Sequence, residues 1–333
     1  MATAVCPDIT GSIGVVATFD GSSSVGATYY RWSWIALPAT SSVANQSFPF
    51  PDNQGTTPVN MTDNEGLWHF ENPSPLADSS GNGNTATNNG ATQVAGKVGS
   101  NAYEFGASDD LGFGTASNFL AAASNFSFSM WVKCAAAWSP NQYDPIFGFG
   151  DNFDWFTGLG LYFTGTGNSD LRFWIGAYNV TYIEFELTNK TDWNHLMFTY
   201  DGSTVRAYLN GTEMGTTGYA CSLTGLTETL YLNKIGTHSP SSAGYGLIAD
   251  EFAVWSRQLS AAEIEQIYFL QAGNAAGVGS TLGFTPDVNG AYTIQLDVGG
   301  DTTNANCVVS ASTSASSSFT FQGYNFQGVT PCF

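Results

Sequence analysis

The stretch Trp193-Asn-His-Leu-Met-Phe-Thr-Tyr-Asp-Gly202 shows the structural unit from which this chain is built. His195 to Tyr200 is predicted as a strand, and Asp201-Gly202 is a turn signal. Val205 to Leu209 is predicted as the next strand, and Asn210-Gly211 follows it. Asn-Gly and Asp-Gly dipeptides adopt the positive φ that tight hairpin turns require. Short strands joined by such turns are typical of an all-β protein.

Similar strands are predicted on both sides of this unit, and Gly, Asn or Asp separates most of them. The predicted strands are 13–19, 27–35, 67–70, 102–105, 126–132, 160–163, 171–175, 181–186, 230–232, 248–255 and 307–311. Their regular spacing predicts a β-sandwich or jelly roll. One helix is predicted from Ala261 to Tyr268, because Ser260 and Glu263 form a capping box.

Eight motifs occur in a fixed order across the middle of the chain. They are Asp78-Ser-Ser-Gly-Asn-Gly-Asn84, Gly96-Lys-Val-Gly99, Tyr103-Glu-Phe105, Phe126-Ser-Phe-Ser-Met-Trp-Val132, Trp193 to Gly202, Tyr208-Leu-Asn-Gly211, Ile248-Ala-Asp-Glu-Phe-Ala-Val-Trp255 and Leu259-Ser-Ala-Ala-Glu-Ile264. The series resembles the laminin G-like, concanavalin A-like jelly-roll domain. The resemblance implies a concanavalin A-like β-sandwich over residues 63–275.

The two ends of the chain resemble the halves of a PKD or other immunoglobulin-like domain. Tyr30-Arg-Trp-Ser-Trp34 is similar to the central strand of that family, and Phe284 to Leu296 is similar to its late hairpin. Neither half has enough strands to close a sandwich, so residues 1–62 and 276–311 are predicted to form one immunoglobulin-like β-sandwich around the inserted jelly roll. The alternative is three independent segments in a row.

Composition limits the classes of partner. Eight basic against 27 acidic residues give a net charge of −19, which repels nucleic acid. No run of consecutive apolar residues is long enough to span a membrane. The N-terminus lacks the basic and apolar regions of a secretory signal, which indicates use without Sec export or a trimmed signal with Met1 added by cloning.

The five cysteines are Cys6, Cys134, Cys221, Cys307 and Cys332. Their wide spacing and the scattered histidines argue against a zinc site. Cys6 with Cys332 and Cys134 with Cys221 are candidate disulfides, and buried free thiols are the alternative.

Catalysis is not expected. Glycoside hydrolases that resemble laminarinases carry Glu-x-Asp-x-x-Glu on one strand, which places carboxylates on one face of the sheet. Glu184 with Glu186, and Asp250 with Glu251, come closest, and neither pair has that spacing. Glu184 and Glu186 are predicted to share a face. A glycoside hydrolase is therefore a minor alternative to a binding protein.

A calcium ion is the cofactor that the laminin G-like resemblance implies. Asp78 opens a turn rich in Asn and backbone carbonyls, which are the oxygen ligands of a hard cation. The resemblance suggests Asp78, Asn82, Asn84 and Asp250 as ligands. The alternative is that Asp78 caps a turn and Asp250 binds a backbone amide.

Aromatic side chains in Gly-rich or loop-like stretches are candidates for stacking on sugars. These candidates are Trp138, Tyr143, Trp155, Phe156, Tyr178 and Tyr245. The alternative for most of them is burial in the core.

The C-terminal tail, residues 312–333, is Ser-rich and then aromatic. Phe321, Tyr324 and Phe326 are predicted to pack against a neighbouring copy or another virion protein, and a floppy tail is the alternative. The resemblances together predict a non-enzymatic surface protein of a bacteriophage virion, a head decoration, fibre or tail component that binds other virion proteins and cell-surface glycans. A secreted or cell-surface bacterial carbohydrate-binding adhesin is the alternative.

Overall fold

The structure is a computed structural model that describes most of the middle of the chain and the strands at its ends. The described residues are 60–272 without 121–124, 137, 151–157, 166–168, 177–179, 188, 220–226, 237–238 and 241–244, and the backbone of 17–20, 30–36, 275–278, 281–284, 290–298, 304–311 and 321–323. Within them, no helix is both long and apolar enough to cross a membrane.

Strands account for almost all of the regular structure. They are β1 (Ala17–Asp20), β2 (Tyr30–Ala36), β3 (Asn64–Trp68), β4 (Thr87–Asn89), β5 (Thr92–Ala95), β6 (Asn101–Phe105), β7 (Asp110–Thr115), β8 (Phe126–Cys134), β9 (Pro145–Gly150), β10 (Gly158–Phe163), β11 (Asp170–Ile175), β12 (Tyr182–Glu186), β13 (Asn194–Tyr200), β14 (Thr204–Leu209), β15 (Thr212–Gly218), β16 (Thr229–Leu232), β17 (Leu247–Trp255), β18 (Ala275–Val278), β19 (Thr281–Phe284), β20 (Gly290–Val298), β21 (Asn304–Ala311) and β22 (Phe321–Gly323). The described helices are α1 (Ser117–Leu120) and α2 (Ala261–Gln271).

Internal contacts divide the chain into two compact units. One unit is formed by Met1–Phe48 together with Phe269–Phe333, and the other is formed by Pro49–Tyr268. By their order in the sequence, we call the first the outer unit and the second the inner unit. The predicted domain boundaries, at 62/63 and 275/276, stay a prediction.

The inner unit is an antiparallel jelly-roll sandwich, as predicted. Its seven-stranded sheet has the order β12-β11-β10-β9-β16-β7-β4. Its eight-stranded sheet has the order β15-β14-β13-β8-β17-β6-β5, and β3 pairs with β17. Rings from the two sheets meet in one apolar core: the centroids of Phe173 (β11) and Phe198 (β13) lie 4.2 Å apart.

Tight turns set the register of the β13–β14–β15 meander. Asn210 and Gly211, which join β14 to β15, have φ values of 51° and 77°. Both residues are left-handed, as a type I′ turn requires. The turn predicted at Asp201-Gly202 is also present, and the Asp201 side chain accepts hydrogen bonds from the amides of Ser203 and Thr204.

Helix α2 begins with the predicted capping box. The Glu263 amide donates to Ser260 Oγ at 3.3 Å, and the Ser260 amide donates to Glu263 Oε2 at 2.8 Å. Arg257 donates to Glu263 Oε1 at 2.8 Å. Burial would raise the pKa of Glu263, but the hydrogen bonds from Arg257 and Ser260 lower it overall.

The outer unit brings strands from both ends of the chain into the same sheets. β2 lies between β18 and β20 in a sheet of order β18-β2-β20-β21-β22, with Trp32 opposite Leu296. The late hairpin expected from Phe284 to Leu296 is wrong, because β19 pairs with β1 in a separate two-stranded sheet and β20 pairs with β2 and β21. The immunoglobulin-like assignment stays a prediction.

Cys134 is a free and buried thiol. The candidate bridge from Cys134 to Cys221 is therefore wrong, and the alternative of a buried thiol holds at this position. Burial raises the pKa of Cys134 to about 12, although nearby Lys190 opposes the shift. Cys6, Cys221 and Cys332 lie outside the described residues.

Candidate functional site

The face of the seven-stranded sheet that points away from the sandwich core carries its own aromatic side chains. Leu161 and Phe163 of β10 belong to the core, whereas Tyr162 between them belongs to a separate cluster with Trp174 and Ile235. This division follows from the period of two in a strand, which sends successive side chains to opposite faces. We call this surface the outward face.

Gly160 allows the cluster to lie close against the sheet. A Cβ atom at this position would lie 2.6 Å from Ile235 Cδ1 and 2.9 Å from Trp174 Nε1. Any other residue would therefore displace the indole and the isoleucine side chain. The missing side chain at Gly160 thus makes room for an apolar layer outside the core.

Four side chains in contact form a strip across β10, β11 and β12. The rings of Tyr143 and Tyr162 have centroids 5.7 Å apart. Tyr162 lies opposite Arg172 in the strand register, and its hydroxyl contributes to raising the pKa of Arg172. The Arg172 guanidinium lies over the ring of Tyr182, with Cζ 4.0 Å from the centroid. We call Tyr143, Tyr162, Arg172 and Tyr182 the tyrosine strip.

The strip is buried in the middle and open at both ends. Tyr162 is fully buried, whereas Tyr143 exposes 37% and Tyr182 exposes 38% of its surface. Exposed aromatic residues are less common than buried ones, since large rings stabilise a fold mainly by burial. Two half-open rings joined through a packed centre are therefore a candidate ligand surface.

Arg172 is fixed by partners on the same face. Its Nε donates to Glu184 Oε1 at 2.9 Å, and its Nη2 contacts the same oxygen. Burial would lower the pKa of Arg172, but the hydrogen bond that Arg172 donates to Glu184, together with nearby Tyr162, raises it overall. The guanidinium stays charged and is neutralised locally by Glu184. As predicted, Glu184 and Glu186 point to one face, since exposed and buried residues alternate along β12.

The proposed sugar-stacking residues have different environments. Tyr143 lies in the strip. Trp138 exposes 1% of its surface and packs against Tyr245 and Phe163 at 4.3 and 5.2 Å. A sugar cannot reach Trp138, so that candidate is corrected to a core residue. The other candidates Trp155, Phe156 and Tyr178 lie outside the described residues.

Tyr245 is half-buried and serves the fold. Its hydroxyl donates to the Pro145 carbonyl at 3.0 Å and contacts Asn233 Oδ1. Burial raises its pKa well above the ordinary value, and Asp144 and Cys134 add to the shift. A tyrosine held by these partners is positioned as a structural hydrogen-bond donor.

Sequence reasoning missed Tyr162, Arg172 and Tyr182. The signal was present in the alternation of β11 and β12, where polar and aromatic residues occupy every second position. The cross-strand register that joins these positions to Tyr143 is not visible in the sequence.

The turn proposed for calcium is held by its own hydrogen bonds. Asp78 Oδ1 accepts from the Leu67 and Ser80 amides at 3.0 and 2.8 Å, and Asp78 Oδ2 accepts from the Asn84 amide at 2.9 Å. The side-chain amides of Asn82 and Asn84 both donate to the Glu65 carbonyl. The observed partners of Asp78 are N–H donors, which stabilise the turn without a cation.

Asp250 lies in a buried setting of its own. Its Oδ2 accepts from the Lys97 and Val98 amides at 2.8 and 2.9 Å. Burial raises the pKa of Asp250 well above the ordinary value, and neighbouring Glu251 adds to the shift against these amide hydrogen bonds. In the described part of the chain, no group of three or more His, Cys, Asp or Glu side chains is placed to hold a metal ion. The contacts do not fit the predicted calcium set, and calcium binding stays a prediction.

The tail residues are only partly described. Phe321 lies in β22, where its backbone is paired with Val309 of β21. Tyr324 and Phe326 lie outside the described residues. The assembly role of the three aromatics stays a prediction.

Comparison with known proteins shows what the inner unit is similar to. The family model Laminin_G_3, described as the Concanavalin A-like lectin/glucanases superfamily, matches residues 105–265. This region is similar to that superfamily, in agreement with its jelly-roll fold. It contains most of the tyrosine strip's sheet and all of the strip's residues. No curated protein matches the chain significantly.

Several solved structures are similar to this chain at low identity. The receptor binding domain of botulinum neurotoxin C/D mosaic serotype has a TM-score of 0.50 and 14% identity, over 74% of this chain and 73% of that one. Domain 4 of AbnA, a GH43 extracellular arabinanase from Geobacillus stearothermophilus in complex with arabinotriose, has a TM-score of 0.49 and 19% identity, over 62% and 98%.

The receptor binding domain of botulinum neurotoxin D has a TM-score of 0.49 and 18% identity, over 62% of this chain. The match spans about half, 52%, of that neurotoxin chain. At 14% identity, the likeness to the C/D mosaic domain, with its TM-score of 0.50, concerns the fold alone.

Proposed function

We propose that the concanavalin A-like domain is a non-enzymatic carbohydrate-binding module that holds a sugar chain against the tyrosine strip. The observation that supports this is the pair of half-exposed rings, Tyr143 and Tyr182, joined by direct contacts through Tyr162 and Arg172. Sugar C–H groups carry partial positive charge, and the negative face of an aromatic ring attracts them.

The hydrogen bonding of Glu184 on this face favours sugar binding over glycoside hydrolysis as the function. Glu184, which the sequence offers as an acid–base candidate, is the hydrogen-bond partner of Arg172. A glycoside hydrolase needs two carboxylates that flank the scissile bond and are free to exchange protons. A carboxylate fixed to a guanidinium is better suited to position that guanidinium.

Calorimetric titration with neutral tetrasaccharides tests the module. The panel is β-1,4-linked tetramers of glucose, mannose and galactose. Tyr182→Ala and Tyr143→Ala are expected to weaken the tightest interaction by about tenfold each, since a lost aromatic contact of this kind costs about 1.4 kcal/mol. Met214→Ala is the matched control, because Met214 is 40% exposed and lies on β15 of the other sheet. Absence of binding by the unaltered protein, or equal binding by the Tyr variants, contradicts the proposal.

The biological setting that we propose is the surface of a bacteriophage virion. It is supported by the combination of a lectin-like inner unit with an outer unit whose strands come from both chain ends. The alternative is a secreted or cell-surface bacterial adhesin. Capsid, portal or terminase genes beside its gene favour the virion, and a sortase or secretion locus favours the adhesin.

The outer unit and tail are proposed to serve assembly. Expression of residues 63–275 alone is expected to yield a folded unit if the inner domain is an insertion. Deletion of residues 315–333 is expected to leave folding intact and to abolish oligomerisation or incorporation into a particle. Normal assembly of the truncated protein excludes a role for Phe321, Tyr324 and Phe326.

Calcium is a separate proposal and requires Asp78 to exchange a backbone donor for the ion. A cation bound only by the native state raises the melting temperature by mass action. A chelator should then lower the melting temperature of the protein and leave that of Asp78→Ala unchanged. Identical melting with and without chelator excludes a structural calcium.

A further inference from the structure

Carboxylates flank the Tyr182 end of the tyrosine strip. Along β12, Tyr182, Glu184 and Glu186 are exposed, and the residues between them are buried. In the register of β11 and β12, Asp170 lies opposite Glu186 and Arg172 lies opposite Glu184. The Tyr182 ring therefore lies on a surface with three acidic side chains and one guanidinium.

The guanidinium is not available to an incoming anion. Two nitrogen atoms of Arg172 contact the same oxygen of Glu184, and Arg172 Cζ lies 4.0 Å from the centroid of the Tyr182 ring. An anionic ligand would have to displace a bound carboxylate to reach this charge. Lys234, which lies over the ring of Tyr231 on the same face, is likewise paired, with Asp110 at 3.3 Å.

The net charge of the whole chain has the same sign as the carboxylates beside Tyr182. The chain has 27 acidic and eight basic residues, a net charge of −19. A potential of this sign attracts cations and opposes the approach of anions over roughly one Debye length, about 8–10 Å at physiological ionic strength. The local carboxylates lie well within this range of any sugar stacked on Tyr182.

We infer that the tyrosine strip selects neutral sugar chains and rejects chains that carry carboxylates, such as uronates and sialates. The inference rests on the proposed function. Glu184 and Glu186 are the residues that determine the selectivity, Glu186 by repulsion and Glu184 by repulsion and by holding Arg172. Removal of both charges should free Arg172 for an anionic ligand.

Matched ligand pairs test the selectivity. Each neutral tetramer of glucose, mannose or galactose is compared with the same tetramer oxidised to the carboxylate at C6. The unaltered protein should bind the best neutral tetramer at least about tenfold more tightly than its carboxylated form, as expected for like charges a few Å apart near a protein surface. The double variant Glu184→Gln with Glu186→Gln should reduce this ratio to about one or reverse it.

Glu104→Gln is a control for the loss of a negative charge elsewhere on the domain. It removes one negative charge from β6, in the other sheet, and should leave the ratio unchanged. Retained binding of the neutral tetramer shows that the double variant is folded. A salt titration of the unaltered protein needs no variant. In 0.5 M NaCl the affinity for the carboxylated tetramer should rise, because salt screens exposed charges. The ratio of the two affinities should therefore become smaller.

The outcomes separate the two proposals. If no tetramer of either kind binds, the carbohydrate-binding function is wrong. If neutral tetramers bind and carboxylated tetramers bind equally well at low salt, only the selectivity inference is wrong. A ratio that persists in the double variant also overturns it, because Glu184 and Glu186 then do not set the preference.

Discussion

The two outward faces of the sandwich both carry aromatic side chains but differ in how far these side chains are buried. On the eight-stranded sheet, Trp131 exposes only 2% of its surface and is stacked with Tyr268 of helix α2 at 5.9 Å. On the seven-stranded sheet, Tyr182 remains 38% exposed and is stacked with Arg172. Both faces carry aromatic residues at the outward positions of their strands. The chain's own helix covers one of them, and the other keeps two rings open.

The polar residues beside these two aromatic side chains also differ in burial and charge. His195 beside Trp131 is fully buried, with Ser129 Oγ 2.9 Å from its Nε2. Burial lowers the pKa of His195 to about 3, so the imidazole is neutral at physiological pH. Arg172 beside Tyr182 keeps its charge. The covered face therefore stabilises the fold, whereas the open face leaves aromatic and acidic groups exposed.

The largest expected effect comes from opening the covered face. Trp131→Ala should lower the free energy of unfolding by about 3–5 kcal/mol, because it removes a buried indole and leaves a cavity under α2. Urea unfolding followed by tryptophan fluorescence or circular dichroism measures the change. A loss below about 1 kcal/mol would mean that this face is not closed by Trp131.

An intermediate loss of stability is expected when the pH is lowered. The folded-state pKa of His195 is about 3, and the unfolded value is about 6.5. Between these values the unfolded chain binds a proton that the folded chain does not, so stability falls as pH falls below 6.5. The contribution is about 1.4 kcal/mol per pH unit, or about 2 kcal/mol from pH 6.5 to 5.

His195→Gln should remove this slope. The measurement is the unfolding free energy of both proteins at several pH values from 7.5 to 5. Because the other titrating groups are common to both, the difference between the two curves reports His195. Parallel curves would show that the imidazole is accessible to protons in the folded state.

The smallest effect on stability is expected on the open face. Tyr182→Ala should change the free energy of unfolding by less than about 1 kcal/mol, since it removes a half-exposed ring and one cation–π contact. Thermal melting measures this. A loss as large as that of Trp131→Ala would assign the Tyr182 ring to the fold and erase the contrast between the two faces.

Much of the sandwich can be predicted from local patterns. Strands β8, β13, β14 and β17 coincide with strands predicted from the sequence, turn dipeptides follow β13 and β14, and α2 follows from its capping box. These elements carry strong local signals, because a period of two and an Asn-Gly turn each correspond to one backbone geometry. The family resemblance to a laminin G-like domain adds their order.

Weakly patterned strands were missed. β15, with the sequence Thr-Glu-Met-Gly-Thr-Thr-Gly, is polar and contains two glycines, and β9 begins with a proline. Neither has the composition of a strand, since Gly and Pro are disfavoured there. They become strands because β14 and β10 supply ladder partners. The expected strand at 67–70 ends at Trp68 because Phe70 takes a φ of 62°.

The sequence by itself determined the sandwich, its turns, the acidic charge and the presence of aromatic residues at alternating positions. Only the tertiary structure decided which of those aromatic residues are buried and which are open. Trp138 and Tyr143 are five residues apart and both aromatic, yet one lies in the core and the other on the strip. The reason is that exposure depends on what other strands, loops and helices place over a side chain, and contacts between residues distant in the sequence are set by the fold as a whole.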